Sequence, residues 1–350
     1  MNKNFEPDYK NIVDAAYNRV PARLLLYEHG ISNEIIERIT SKELSGLRVG
    51  NTADKREYFR RFYAFHRECG FDVVIHECCV CDILPGGGAL GAHKKGIIQN
   101  RSDFENYPWD EFHKLYFDVF SEEFTLLSEQ ALPGMSAVGG VGNGVFEVVQ
   151  DLVGYEDLCI ISFEDPELYS DIFRKVGDML LSIWKTLLHR FGDVFCICRF
   201  GDDLGFKSNT LLPHKDIKDH IIPQYKRIIE VVHQIEKPFL LHSCGNIFSI
   251  MDELIEVARI DAKHSNEDQI ALFPEWVNCY GDKIGNFGGL DTDMVCSADK
   301  ETIVEYSKDV LQKCHGHGGF AFGTGNMVAS YVNEEKWMKM IETARIFRGE

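Results

Sequence analysis

Lys237-Pro238-Phe239-Leu240-Leu241-His242-Ser243-Cys244-Gly245-Asn246 decides how the chain is read. Phe239 to Leu241 is a short apolar run behind a proline, the pattern of a buried strand. Gly245 and Asn246 end it and open a helix near Ile247. His242 and Cys244 therefore sit at the carboxyl end of a strand. Side chains two apart on a strand point the same way, about 7 Å apart along the chain. An imidazole and a thiolate presented together suit a zinc ion. The plainer alternative is a polar strand end whose His and Cys are simply packed.

Working outward, the same unit recurs. Arg23 to Glu28, Asp72 to Glu77, Met135 to Gly140 and Val194 to Phe200 read as four earlier strands. Ile260 to His264, Ile284 to Gly289 and Gly319 to Phe322 read as three later ones. Helical patterns lie between them, among them Thr52 to Arg67, Pro223 to Glu236, Lys300 to Lys313 and Glu334 to Phe347. Asp165-Pro166 reads as the cap and first residue of a long helix that Gly192 ends. Residues 157–162 fit helix or strand equally. Strands alternating with helices imply a parallel sheet. Eight units with no linker between them predict an α/β fold with a single (β/α)8 TIM-like barrel over residues 1–350, residues 1–20 being an N-terminal extension. Gly139-Gly140-Val141-Gly142 favours an open dinucleotide-binding sheet, but it lacks the G-x-G-x-x-G spacing.

The chain has 350 residues, 45% hydrophobic and 26% charged, an ordinary globular balance. Its net charge of −18 argues against nucleic acid and against a heavily anionic small substrate. No apolar run is long enough to span a membrane, and Met1-Asn2-Lys3-Asn4-Phe5-Glu6 lacks a secretory apolar core. The 11 cysteines are scattered and odd in number, which suits a reducing compartment. A cytoplasmic protein is expected.

In such a barrel the chemistry lies at the carboxyl ends of the strands. Glu28, His29, Glu77, Asp202, Asp203, His242, Cys244, His264, Asn266, Asp291, Asp293 and Asn326 all fall there. A catalytic zinc needs three protein ligands and one open position. His242 and Cys244 supply two, and Glu28, Asp202, Asp203 or Cys296 is the candidate third. Asp202-Asp203 reads as a general-acid pair, or as one cap and one site residue. Cys78, Cys79 and Cys81 have no second pair at zinc-ribbon spacing. Cys196 and Cys198 read as small core residues. The glycine-rich stretches at 86–96 and 139–144 are tight turns or a lid, with anion binding by backbone N–H groups as the alternative.

Five motifs together resemble the uroporphyrinogen decarboxylase superfamily, which also holds corrinoid-dependent methyltransferases. They are Glu28-His29-Gly30-Ile31-Ser32, Gly201-Asp202-Asp203-Leu204-Gly205, His242-Ser243-Cys244-Gly245-Asn246, Gly288-Gly289-Leu290-Asp291-Thr292-Asp293 and Gly323-Thr324-Gly325-Asn326. The resemblance spans nearly the whole chain. The decarboxylases carry an arginine-rich segment near the first strand that holds the acidic side chains of the tetrapyrrole. Here that place reads Tyr27-Glu28-His29-Gly30, and an acid repels such a substrate. The thiol-methylating branch completes its zinc site with a second cysteine near the last strand, where this chain has Gly323-Thr324-Gly325. A branch with carboxylate-richer metal sites takes a methyl group from a small molecule to a corrinoid protein.

The resemblance therefore implies a zinc-assisted methyltransferase. Its partners are a separate corrinoid protein and a small methyl donor of the methoxy or methylamine type. His242, Cys244 and Glu28 are the expected metal ligands. Asp202, Asp203 and Glu28 are the expected catalytic acids. His29, Glu77, His264, Asn266, Asp291 and Asn326 are expected to line the substrate pocket. A homodimer is compatible with this. Thiol methylation, tetrapyrrole decarboxylation and a non-catalytic ligand-binding barrel are the alternatives.

Overall fold

A computed structural model describes residues 5–350. Eight strands run parallel: β1 (Leu25–Leu26), β2 (Val73–Cys78), β3 (Ser136–Val141), β4 (Phe195–Gly201), β5 (Phe239–His242), β6 (Ala262–His264), β7 (Gly285–Leu290) and β8 (Phe320–Thr324). Their order around the sheet is β1-β8-β7-β6-β5-β4-β3-β2. The α/β barrel expected from the sequence is present, with one departure from a closed ring. Among the described residues, hydrogen-bonded ladders join every neighbouring pair except β1 and β2.

The open seam follows from the brevity of β1. The sequence pattern gives a strand from Arg23 to Glu28, but only two residues pair with β8. Arg23 instead donates to the Asp72 carboxylate and to the Glu6 carbonyl, which holds the start of the strand away from the ladder. Beyond Leu26, the Tyr27 N–H still reaches the Phe322 carbonyl. The chain then follows the segment after β8, with Ser32 bonded to Val328 and Val328 to Gly30.

The barrel axis is filled in layers. Leu25, Val73, Val138, Ile197, Leu240 and Ala321 belong to one buried inner cluster. The helix Lys10–Ala16 closes the amino end by adding Ile12, Ala15 and Ala16 to it. One turn of the pleat higher on β4, the inward position is Arg199 rather than an aliphatic residue.

The glycines of β3 have a packing cause. A Cβ on Gly139 would lie 1.8 Å from the His76 carbonyl oxygen, and one on Gly140 would lie 2.5 Å from the Trp184 ring. Both residues have positive φ, 153° and 134°. Trp184 comes from the helix Pro166–Phe191, where Asp165 accepts from the Leu168 N–H at 2.9 Å and Pro166 is the first residue. Residues 157–162 are helical, within Tyr155–Glu164. The helix expected to open near Ile247 is a tight turn at Phe248–Ile250 followed by a wide one at Glu253–Ala258. The glycine loop at 86–96 has an internal anion: Asp151 Oδ1 accepts from the N–H groups of Gly88 (2.8 Å) and Leu90 (3.0 Å). No helix among the described residues is long and apolar enough to cross a membrane.

Gly140→Ala forces a methyl group against Trp184 at a φ that L-residues avoid. It is expected to cost about 2–4 kcal/mol, read as a fall in the apparent urea midpoint. An unchanged midpoint would show that β3 and the Trp184 helix are less tightly apposed.

Candidate active site

Burying Arg199 requires that its donors find acceptors. It is 2% exposed. Nε reaches Glu77 Oε1 at 2.7 Å and Nη2 reaches Glu77 Oε2 at 2.6 Å. Nη1 reaches Tyr27 Oη at 2.9 Å, the His29 carbonyl at 3.0 Å and His29 Nδ1 at 2.6 Å. Burial opposes the guanidinium charge, and the Glu77 carboxylate and Tyr27 outweigh it. Sequence reading passed over Arg199. Its signal was a single charge inside the apolar run of β4, two residues past inward-facing Ile197.

This arginine begins a chain of fixed protonation. A guanidinium only donates, so His29 Nδ1 must accept and its proton is on Nε2. The His29 ring lies flat on His242, centroids 3.6 Å apart and planes 16° apart. At the far end, the Thr324 carbonyl only accepts, so His264 Nε2 donates to it at 3.0 Å. Neutral His264 then has a bare Nδ1, which accepts the Nδ1–H of His242 at 2.8 Å. His242 is left with its Nε2 lone pair free. Burial holds all three rings neutral, reinforced on His29 by Arg199 and on His242 by His264. The His264 pKa is pushed down to about 3.

That lone pair faces Cys244 Sγ at 3.4 Å and Asp203 Oδ1 at 3.8 Å. Cys244 Sγ also accepts from Asn326 Nδ2 (3.3 Å) and Ser265 Oγ (3.5 Å), while its backbone N–H donates to Asp203 Oδ1 at 2.8 Å. Burial, followed by the charge of Asp203, pushes the thiol pKa up. Zinc–ligand bonds of about 2.0–2.3 Å in a tetrahedron place ligand atoms about 3.3–3.8 Å apart. The Asp203–His242–Cys244 set matches that spacing. Its donor types suit zinc, and three protein ligands leave a fourth position open. His29, His242 and His264 also lie close together. They do not form a second site, because stacked rings aim their in-plane lone pairs in parallel and the Nδ1 atoms of His242 and His264 share a proton.

Two expected residues are engaged elsewhere. Glu28 Oε2 accepts from the Thr324 N–H (3.1 Å) and hydroxyl, and Oε1 accepts from Trp337 Nε1 at 2.8 Å. It ties the end of β1 to β8 and to the helix Glu334–Phe347, outside the group around Cys244. Asp202 accepts from the N–H groups of Phe146 (2.9 Å) and Glu147 (2.8 Å) and from the Tyr225 hydroxyl (2.5 Å). It caps the helix Val145–Val153 and is fully buried. Burial pushes each of these carboxyls up to about 7. Asp203, and not Glu28 or Asp202, is the carboxylate whose oxygen lies close to the His242 and Cys244 ligand atoms.

Asn266 brackets Gly289, donating to its carbonyl and accepting from its N–H, both at 3.1 Å. Asp291 accepts from the N–H groups of Asp268 and Asp293 at 2.7 Å. Both therefore hold loops. Cys296 is half-buried in the helix Thr292–Ser297 and is not in the group. Cys78, Cys79 and Cys81 are thiols that burial pushes up.

Glu147 joins the group without any local sequence signal. In the first turn of a helix, an acid reads simply as a partner of the helix dipole. It accepts from the Asp203 N–H at 3.3 Å and from Asn143 Nδ2 at 2.8 Å. Burial, then Asp202 and Asp203, push its carboxyl well up. A cavity of about 440 Å³ adjoins this assembly beneath the β1–β2 seam, and His29, Glu77 and Arg199 form its inner wall.

Residues 63–347 match the uroporphyrinogen decarboxylase family, and the chain belongs to it. The fold is similar to that of a methyltransferase from Methanosarcina mazei, with a TM-score of 0.74 at 12% identity over 98% of this chain and 99% of that one. It is also similar to a putative vitamin-B12 independent methionine synthase from Listeria monocytogenes, with a TM-score of 0.50 at 15% identity over 95% of this chain and 98% of that one. At these identities the likeness is one of fold. No curated protein matches the sequence.

The histidine chain is directly testable. Nitrogen-15 NMR of the metal-free protein at pH 7 is expected to show His242 as the Nδ1–H tautomer and His264 as the Nε2–H tautomer. Because both pKa values are lowered, the signals should not move between pH 8 and pH 5. An Nε2–H proton on His242 would break the derivation.

Proposed function

We propose that this protein is a methyltransferase that passes a methyl group from a small methoxy- or methylamine-type donor to the corrinoid of a separate protein. The single observation that carries this is the Asp203–His242–Cys244 group, whose one free imidazole lone pair faces a thiol and a carboxylate at the carboxyl ends of β4 and β5. The likeness to a methyltransferase supports it at the level of fold. Zinc bound by these three residues supplies Lewis acidity to the leaving atom of the donor.

The chain's own residues do the rest. The Thr324 carbonyl and His264 hold the His242 lone pair toward the group. Asn326 and Ser265 fix the sulfur. The methyl carbon would leave its bond to oxygen or nitrogen for the acceptor held by the partner protein, a reduced corrinoid that would supply the electron pair of the new bond. The leaving atom keeps the old pair and takes up a proton. Glu147, half-buried beside Asp203, is placed to supply it.

A carboxylate in place of a second sulfur favours this direction over thiol methylation. The lack of an arginine at Tyr27-Glu28-His29, with Arg199 already committed to Glu77, disfavours a tetrapyrrole with many carboxylates.

Elemental analysis of protein purified without chelator is expected to give about one zinc per chain. His242→Ala, Cys244→Ala and Asp203→Ala should lose it, and Glu28→Gln should keep it. Loss of metal in Glu28→Gln with retention in Asp203→Ala would restore the sequence-based ligand set. Protein with no metal at all would sink the zinc mechanism. His264→Ala is expected to weaken zinc binding about 10- to 100-fold in a competitive chelator titration, since its place is to orient a ligand. With the metal in place, methyl transfer from methoxy compounds to cob(I)alamin is the activity to assay.

A further inference from the structure

The cavity under the β1–β2 seam is built where the sheet has no ladder. The segment after β1 (His29 to Ile31) forms one side, and Val73, Ile75 and Glu77 of β2 form the other. Its outer wall is aromatic, with Tyr58 and Phe62 from the helix Thr52–Cys69 and Phe71 beyond it. Its inner wall reaches His29, whose ring is stacked on His242. A molecule in the cavity is thus one ring's thickness from the proposed ligand group.

The charges on the lining are unequal in availability. Arg199 is committed to Glu77, and Glu77 to Arg199. Glu28 is hydrogen-bonded to Thr324 and Trp337. Glu34 and Arg48 are both exposed at the rim, where water screens charge. Arg48 lies over the Tyr58 ring, its guanidinium carbon 5.8 Å from the ring centroid, with Glu123 and Asp82 acting on it from beyond ion-pair contact. An arginine with no carboxylate in ion-pair contact, beside an apolar wall, can still meet an organic anion directly. The net charge of −18 limits that anion to few charges.

We propose that the seam cavity binds the small substrate, and that it selects an organic monoanion with a ring-sized apolar body. The body packs on Tyr58, Phe62 and Phe71, the anionic group meets Arg48, and the remaining end points toward His29. That last clause, which makes the ligand the methyl donor, rests on the methyl-transfer reading. The site and its chemical class do not.

The test uses the full chain and three simple probes: benzoate, benzamide and benzyltrimethylammonium, titrated by calorimetry and by protein NMR. Benzoate is expected to bind with a dissociation constant on the order of 1 mM or tighter. Arg48→Met should weaken it about tenfold, the loss of one charge-assisted hydrogen bond, and leave benzamide unchanged. Ile75→Trp, which fills the cavity, should abolish both, with its melting temperature serving as the check on folding. Cys244→Ala should bind benzoate as the unaltered protein does.

Equal binding of the ammonium probe, no effect of Arg48→Met, or no saturation by benzoate would each overturn the proposal. So would loss of benzoate binding in Cys244→Ala, which would put the anion on the metal-ligand group. A protein that holds no zinc yet binds benzoate through Arg48 would defeat the methyl-transfer reading alone and leave the seam site standing.

Discussion

A guanidinium on the axis of a barrel is a constraint that its neighbours must satisfy. Arg199 brings a full positive charge into the interior, where burial is tolerated only with partners in place. Glu77 neutralises it from β2, Tyr27 and His29 accept from it after β1, and the four side chains span the one seam that has no ladder. What backbone bonds do elsewhere in the sheet, this cluster does between β1 and β2. It also fixes the His29 ring, and through stacking the ring of His242. A substitution at Arg199 therefore acts on the fold and on the candidate site together.

Much of the architecture was legible because short-range chemistry set it. The Asp165-Pro166 start, the strand ends at glycine and the alternation of apolar runs with amphipathic helices need only a few neighbouring residues to interpret. The start of β1 was not legible in this way. Arg23 is drawn to Asp72 and the Glu6 carbonyl, and nothing near residue 23 shows it. The site divides along the same line. Placing His242, Cys244 and Asp203 at strand ends follows from the strand pattern. Which carboxylate joins the group depends on who claims the others. Trp337 claims Glu28 from more than 300 positions away, and the amides of the helix after β3 claim Asp202. Asp202 and Asp203 illustrate the point: adjacent acids leave the strand on opposite sides, one into a cap and one toward the thiol.

Membership of the uroporphyrinogen decarboxylase family describes the frame more than the chemistry. Within that frame, this chain has Tyr27-Glu28-His29-Gly30 after its first strand and Gly323-Thr324-Gly325 at the end of its last. Thr324 still takes part in the site through its carbonyl, which orients His264. Its hydroxyl and amide meanwhile hold Glu28.

The attachment of β1 also bears on the order in which the chain is made. The first strand pairs with the eighth, and its terminal Glu28 is fixed by Thr324 and Trp337. A ribosome delivers β1 well before β8 and Trp337. During synthesis β2 to β7 have neighbours to join as they emerge, while β1 waits with an apolar edge and a buried acid unanswered. Closure of the barrel at β1 therefore waits until β8 and Trp337 have been made.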